Sequence, residues 1–276
     1  MISLIVCSYD GYSDCWDPYF KMLVKYFPQA KDFDIILSTT TKDYHFEGLN
    51  ITVLKHGNDA PWGKRLLDSL KVAKYDIVFP LSEDYFLRSP MNFKMFKHFV
   101  ELMQKNDDVD FIRMLRYSVR WSDKPSKYNF LNKIEPTCKH RFLLIPGLWK
   151  KKTISKYIKD YENIYMSEKI NGIRSWIYKD EFYAISEEYV NEYGQLYDTW
   201  NSGFIFKGKW PVWCIESLES ENLNIDYSIR GSIDNEGAKK TRVTSKIAII
   251  KSPFTSSKSF LNIIGLYIKS LFVKLE

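Results

Sequence analysis

Asp76-Ile-Val-Phe-Pro-Leu-Ser-Glu-Asp-Tyr-Phe-Leu87 runs from an unbroken apolar stretch into two adjacent carboxylates. Apolar at every position from 77 to 81, it reads as a strand buried on both faces, as in a parallel sheet covered by helices on either side. Glu83 and Asp84 fall at the exit of that strand, where their side chains must face solvent or a ligand. An acidic pair so placed can hold Mg²⁺ or Mn²⁺, hard ions that take carboxylate oxygens and leave other positions for phosphates. Two acids after a strand do not by themselves make a metal site, so the flanking sequence has to be weighed with them.

Upstream, the same alternation repeats. Residues 2–7 form an apolar, β-rich run, residues 16–27 space their apolar side chains as a helix does, and residues 33–38 return to strand. Residues 50–54 read as a short strand, 62–73 as a helix, 92–104 as another helix and 110–115 as a strand. Strands alternating with helices of this length imply βαβ units and a parallel sheet, with ligands beyond the carboxyl ends of the strands. The middle is less regular: residues 117–139 are polar and aromatic without a clear period, 141–145 are strand-like and 151–160 helical. No internal repeat or low-complexity segment occurs.

Residues 234–258 read as a connector with one short strand at 247–250. Beyond it, Phe260, Ile263, Ile264, Tyr267, Ile268, Leu271, Phe272 and Leu275 follow i, i+3, i+4 spacing, with Lys258, Asn262 and Lys269 opposite. From Lys239 onward eight basic residues face one acid, Glu276. Such a helix suits an anionic membrane surface, or packing on the protein's own core; both readings stand at this point.

The 276 residues suit one large α/β domain, or one with a modest appendage. A net charge of +6 favours phosphate groups or anionic lipid, but the basic residues are too dispersed for the clustered stripe of a nucleic-acid site. Aromatic residues make up 16%; their rings stack well on sugars, although AT-rich coding gives the same excess. Cys7, Cys15, Cys138 and Cys214 form no C-x-x-C pair, which suits a reducing cytosol. The N-terminus has no signal-peptide pattern, and no run of 18 uncharged apolar residues suggests a membrane span. His45, His56, His98 and His140 lack metal-ligand spacing, and no nucleophile-elbow motif appears.

Several stretches, in this order, resemble landmarks of bacterial capsule and lipopolysaccharide glycosyltransferases of the GT-A type. Val6-Cys7-Ser8-Tyr9-Asp10 is similar to their first nucleotide-binding strand and turn. Trp62-Gly63-Lys64-Arg65-Leu66-Leu67-Asp68-Ser69-Leu70 is similar to the helix before their acidic "DXD" region, and Ser82-Glu83-Asp84 to that region with adjacent acids. Pro146-Gly147-Leu148-Trp149 and Phe206-Lys207-Gly208-Lys209-Trp210 resemble later landmarks, so the likeness covers residues 2–210. It implies an α/β, Rossmann-like, mostly parallel sheet flanked by helices over residues 1–233. The nucleotide-sugar half would cover about 1–115 and the acceptor half about 116–233, with residues 234–276 as a C-terminal helical extension.

The resemblance also implies roles. Ser8, Tyr9, Asp10 and Trp62 would contact the donor, and Lys64 and Arg65 its diphosphate. Since the motif is not Asp-x-Asp, Asp84 is the expected ligand of Mn²⁺ or Mg²⁺ and Glu83 is left to the sugar. An inverting reaction needs a carboxylate base; Glu168 is expected there, at a helix opening on Ser167-Glu168, with Glu162, Asp180 and Glu181 as alternatives. Trp149 and Arg174 would bind the acceptor, lipid-linked or oligosaccharide. Each also has a plainer reading: a strand-to-loop turn for Ser8 and Asp10, packing for Trp62, a solvated face for Lys64 and Arg65, a surface acid for Glu168 and a surface salt bridge for Arg174. The expected location is cytoplasmic and peripheral, on the inner face of the membrane. Two rivals share these features: a non-catalytic glycan-binding or scaffold protein, and a sugar nucleotidyltransferase, which would release pyrophosphate.

Overall fold

In a computed structural model of the protein, which describes residues 1–116, 123–138, 140–200, 203–241 and 253–272, the apolar runs become strands of one sheet. β1 (Ser3–Cys7), β2 (Asp34–Thr39), β3 (Ile51–Lys55) and β4 (Ile77–Ser82) lie parallel in the order β3-β2-β1-β4. The sheet continues past β4 through β8 (Gly147–Lys150), β5 (Phe111–Arg113), β9 (Phe182–Ile185), β7 (Leu131–Ile134) and β6 (Asp123–Pro125). Only β8 and β7 run against the rest, since β8 is antiparallel to β4 and β5, and β7 to β9 and β6. This is the mostly parallel, Rossmann-like sheet that the resemblance implies, with its β3-β2-β1-β4 half in doubly wound order.

Period-two alternation along these strands feeds two cores. Leu4, Val6, Ile35, Leu37, Phe79 and Leu81 point to one face, where α1 (Trp16–Tyr26) and α3 (Phe93–Lys105) add Phe20, Leu23, Phe96 and Phe99. Ile5, Ile36 and Val78 point to the other face, toward Leu66 and Leu70 of α2 (Trp62–Val72) and Ile154 and Tyr157 of α4 (Lys151–Tyr157). Each such side chain, fully buried, contributes about 1.5–3 kcal/mol, which is why neither face can be left bare. Pro80, which lacks an N–H, is tolerated in β4 because the ladder to β8 involves only Ile77 and Val78.

The second half departs from the sequence expectation in three ways. Residues 141–145 form a loop, and the strand lies just after them, at Gly147–Lys150, where Leu148 and Trp149 supply opposite cores. Arg141 of that loop is buried with its guanidinium bonded to the carbonyls of Ile134 and Asp180, ties that a strand there would break. The helix expected to open at Ser167-Glu168 begins earlier: α5 (Ile164–Tyr178) is capped by Asn163, whose Oδ1 accepts from Met166 N at 2.9 Å. The short elements α6 (Glu187–Tyr193), β10 (Trp210–Pro211), α7 (Val212–Glu219), β11 (Ser232–Ile233) and α8 (Asn235–Thr241) carry no long periodic run. The strand expected at 247–250 and Leu275 lie outside the described residues.

The C-terminal helix is present as α9 (Pro253–Ser270) and packs on α5. Its Ser259 hydroxyl donates to Glu162 Oε1 at 2.6 Å, and Asn262 Oδ1 accepts from Arg174 Nε at 3.1 Å. No helix among the described residues is long and apolar enough to cross a membrane.

The turn before α5 also receives α2. Gly63 N donates to Glu162 O at 2.9 Å, and a Cβ on Gly63 would stand 2.0 Å from the carbonyl oxygen of Lys159. That contact is with backbone, which cannot swing aside. Gly63→Ala is therefore expected to lower unfolding stability by about 1–3 kcal/mol in urea titrations despite alanine's better helix propensity; an unchanged or raised midpoint would contradict this packing.

Candidate active site

β1 and β4 are neighbours in register, with Cys7 opposite Ser82, so the residues that follow each strand emerge side by side at the carboxyl edge of the sheet. Ser8 and Tyr9 leave β1 there; Glu83 and Asp84 leave β4. Trp62 and Arg65 arrive on the first turn of α2, Tyr12 on the 3₁₀ turn Asp10–Cys15, and Ile164 and Tyr165 on the first turn of α5. Together they line a cavity of about 430 Å³.

The electrostatics of this cavity centre on its two acids. Glu83 is 5% exposed, and Asp84 Oδ1 is buried without a hydrogen-bond partner among the described residues. Burial pushes the Asp84 carboxyl up to about 7, against the pull of its own backbone N–H and of Arg230. Glu83 is raised well above the ordinary carboxylate range, first by burial and then by the charge of Asp84. Gly203 flanks the pair at φ +73; a Cβ there would lie 2.8 Å from Asp84 Oδ2, and Phe204 N donates to Asp84 O at 2.7 Å. Glycine thus leaves room for the carboxylate in a backbone conformation that other residues rarely adopt.

The other walls are held from outside the cavity. Ser8 Oγ accepts from Trp16 Nε1 at 2.7 Å. Arg65 donates from Nε to Ala60 O at 2.9 Å and from Nη1 to Ser8 O at 3.4 Å, which sets its guanidinium between α2 and the end of β1. Tyr12 is covered by Arg230, whose guanidinium lies 4.1 Å from the ring centroid and forks onto Asp14 at 2.7 and 2.5 Å.

Of the residues expected from sequence, the cavity brings together Ser8, Tyr9, Trp62, Arg65, Glu83 and Asp84. The others lie elsewhere. Asp10 accepts from the backbone N–H groups of Thr40, Thr41 and Lys42 and from Thr41 Oγ1, and so anchors the loop after β2. Lys64 pairs with Asp68 one helical turn on, at 2.6 Å, on a solvated face. Trp149 is fully buried against Phe111, ring centroids 4.0 Å apart, and so cannot receive an acceptor. Arg174 is likewise fully buried, forked onto Glu162 at 2.7 and 2.9 Å; breaking such a pair strands a charge in the interior, so it is not an acceptor contact. Glu168 accepts from Leu144 N at 3.0 Å and does not line the cavity. Asp180 is bonded to Lys156 and Tyr157, and Glu181 to Lys133.

Tyr12, Tyr165, Gly203 and Arg230 were not singled out from the sequence. An aromatic residue beside a glycine in Gly11-Tyr12 and the lone Arg230-Gly231 are weak local signals, because what places them is a chain crossing of more than two hundred residues.

No family model matches the chain, and no curated protein does. Among solved structures, that of S. aureus TarS 1–349 is similar at 12% identity and a TM-score of 0.48 over 98% of this chain and 80% of that one. The same protein in complex with UDP-GlcNAc is similar at 13% and 0.48, over 98% and 81%. A cytidylyltransferase from Leptospira borgpetersenii serovar Hardjo-bovis (strain JB197) is similar at 14% and 0.43, over 83% and 96%.

The raised Asp84 carboxyl has a consequence for stability. Its folded value lies above the unfolded one, so the contribution is fully present below the ordinary carboxylate range and is lost as pH rises through about 7. Without added metal, the chain should lose stability between about pH 4 and about pH 7, and Asp84→Asn should flatten that slope. Denaturant midpoints across this range check it; parallel curves for the two proteins would contradict the burial of this charge.

Proposed function

We propose that this protein is a GT-A glycosyltransferase that moves a sugar from a nucleotide-sugar donor to a surface-glycan acceptor with the help of a divalent cation. The observation that carries this reading is Asp84 Oδ1, buried without a hydrogen-bond partner among the described residues, beside Glu83 in a cavity whose lining includes Tyr9, Tyr12, Trp62, Tyr165 and Arg65. A buried carboxylate oxygen without a partner is costly, and a cation with its phosphate ligands relieves that cost.

The donor set fits Mn²⁺ or Mg²⁺ in one specific sense. Two carboxylates are adjacent, and no group of three or more His, Cys, Asp or Glu able to hold an ion exists among the described residues. Phosphate oxygens and water would fill the remaining positions, as hard ions accept. When bound, the ion neutralises charge that builds on the departing diphosphate.

The chain's own groups supply the rest. Arg65, its guanidinium fixed by Ala60 O and Ser8 O, offers its remaining donors to the diphosphate. The rings of Tyr9 and Trp62 pack against nucleoside and sugar, and the Ser8 hydroxyl orients the nucleoside. Glu83 takes the base role that the sequence suggested for Glu168, because it is the other carboxylate of the cavity while Glu168 is bonded outside it. It accepts the proton of the acceptor hydroxyl as that oxygen attacks the anomeric carbon opposite the leaving group, an inverting course. Burial first, and then the charge of Asp84, raise its carboxyl well above the ordinary carboxylate range, which makes the ionised form a stronger proton acceptor. The acceptor on this reading is lipid-linked or an oligosaccharide, met at the inner face of the cytoplasmic membrane.

Calorimetry with UDP-, GDP- and CMP-sugars is expected to show binding that Mn²⁺ strengthens. Asp84→Ala should abolish the metal-dependent part of donor affinity, and an unchanged affinity would remove the metal role. Glu83→Gln should bind donor but turn over about 100- to 10,000-fold more slowly. Pyrophosphate release from a nucleoside triphosphate and a sugar phosphate would identify a nucleotidyltransferase instead; oligosaccharide binding with no response to nucleotides would identify a lectin.

A further inference from the structure

Sixteen large apolar side chains are exposed among the described residues, and ten of them lie on α5, on α9 and in the turn that ends α9. Phe260, Ile264, Tyr267, Ile268 and Leu271 recur at i, i+4, i+7, i+8 and i+11 and are 40–63% exposed. The side of α9 that meets α5 is a different one, formed by Ser259, Asn262 and Ile263. On α5, Tyr165, Ile173 and Trp176 form a second stripe at i, i+8 and i+11, each at least 40% exposed. Docking of the two helices therefore leaves the larger apolar face of α9 uncovered, the reverse of what a helix serving only the core would do.

The charges on this surface have one sign. α9 contains no Asp or Glu, and the one acid of α5, Glu168, bonds inward to Leu144 N. Lys169, Lys258 and Lys269 are exposed beside the stripes. Pairing with a second copy would set these lysines against one another, whereas an anionic bilayer supplies both an apolar layer and the opposite charge.

We infer that α5 and α9 together form a docking surface for an anionic lipid bilayer, in which the apolar stripes enter the headgroup boundary and the lysines meet lipid phosphates. The same surface reaches the cavity: Tyr165 lines it while standing 52% exposed, with the Lys207 ammonium 5.4 Å from its ring centroid. A docked chain would thus open its cavity beside the membrane, where the sugar of a lipid-carried acceptor can enter while its tail stays in the bilayer. That last point rests on the function proposed above; the docking does not.

The test is co-sedimentation of the full chain with phosphatidylcholine vesicles, alone or doped with phosphatidylglycerol. Binding is expected only to the doped vesicles and should weaken as salt is added. Trp176→Ser on α5, and Ile264→Glu on α9 with Leu271→Glu in the turn that ends it, should each reduce partitioning, the double variant by about tenfold or more. Trp176→Ser replaces an exposed side chain, and an unchanged thermal transition will show that it folds. No binding to doped vesicles, or full binding by both variants, would overturn the inference. So would a lipid-free dimer that the same substitutions dissociate. None of these readouts requires turnover, so a failure here is separable from a failure of the proposed reaction.

Discussion

Glu83 and Asp84 repel one another in a cavity that strips water from both, and the surrounding architecture makes that repulsion tolerable. Two buried carboxylates side by side cannot both be ionised at low cost, so near neutrality the pair keeps a proton or takes a cation. Their position leaves little alternative. β4 is buried on both faces and paired with β1 along its length, so the first residues able to turn outward are those after Ser82. Arg230 brings a positive charge near them without neutralising them, because its fork is already committed to Asp14.

A second constraint lies behind the cavity. The buried Arg174–Glu162 pair ties the turn at 159–162 to α5, Ser259 and Asn262 extend the network to α9, and Gly63 lets α2 sit on the same turn. Breaking such a buried pair costs about 3–5 kcal/mol, so the relative placement of α2 and α5 is held firmly. Those two helices carry Trp62, Arg65 and Tyr165 into the cavity. The network thus sets the distance across the site even though none of its members touches the cavity.

How far the sequence can be read depends on how local the cause is. The strands and helices of the first 105 residues follow from apolar, β-rich runs and 3.6-residue patterns, and the observed ends differ from the expected ones by about a residue. In the second half the strands run two to four residues and the helices other than α5 and α9 seven or eight, so these short elements are held by neighbours in space and not by their own pattern. Residues 141–145 show this: they look like a strand, but Arg141 is drawn to the carbonyls of Ile134 and Asp180 and the strand forms after them.

The same division runs through the candidate site. The sequence alone determined that a buried strand ends on Glu83 and Asp84 at the carboxyl edge of a parallel sheet, because strand burial is written in neighbouring residues, while Ser8, Tyr9, Trp62 and Arg65 were placed near it by the family resemblance. Only the tertiary structure decided that Asp10 caps a loop, that Trp149 and Arg174 are interior, that Glu168 stands outside the cavity, and that Tyr12, Tyr165, Gly203 and Arg230 belong beside it. A carboxylate, a guanidinium or an indole has the same chemistry in the sequence wherever it falls. Its role depends on which partner chain packing places within about 3 Å, and residues far apart along the chain supply those partners.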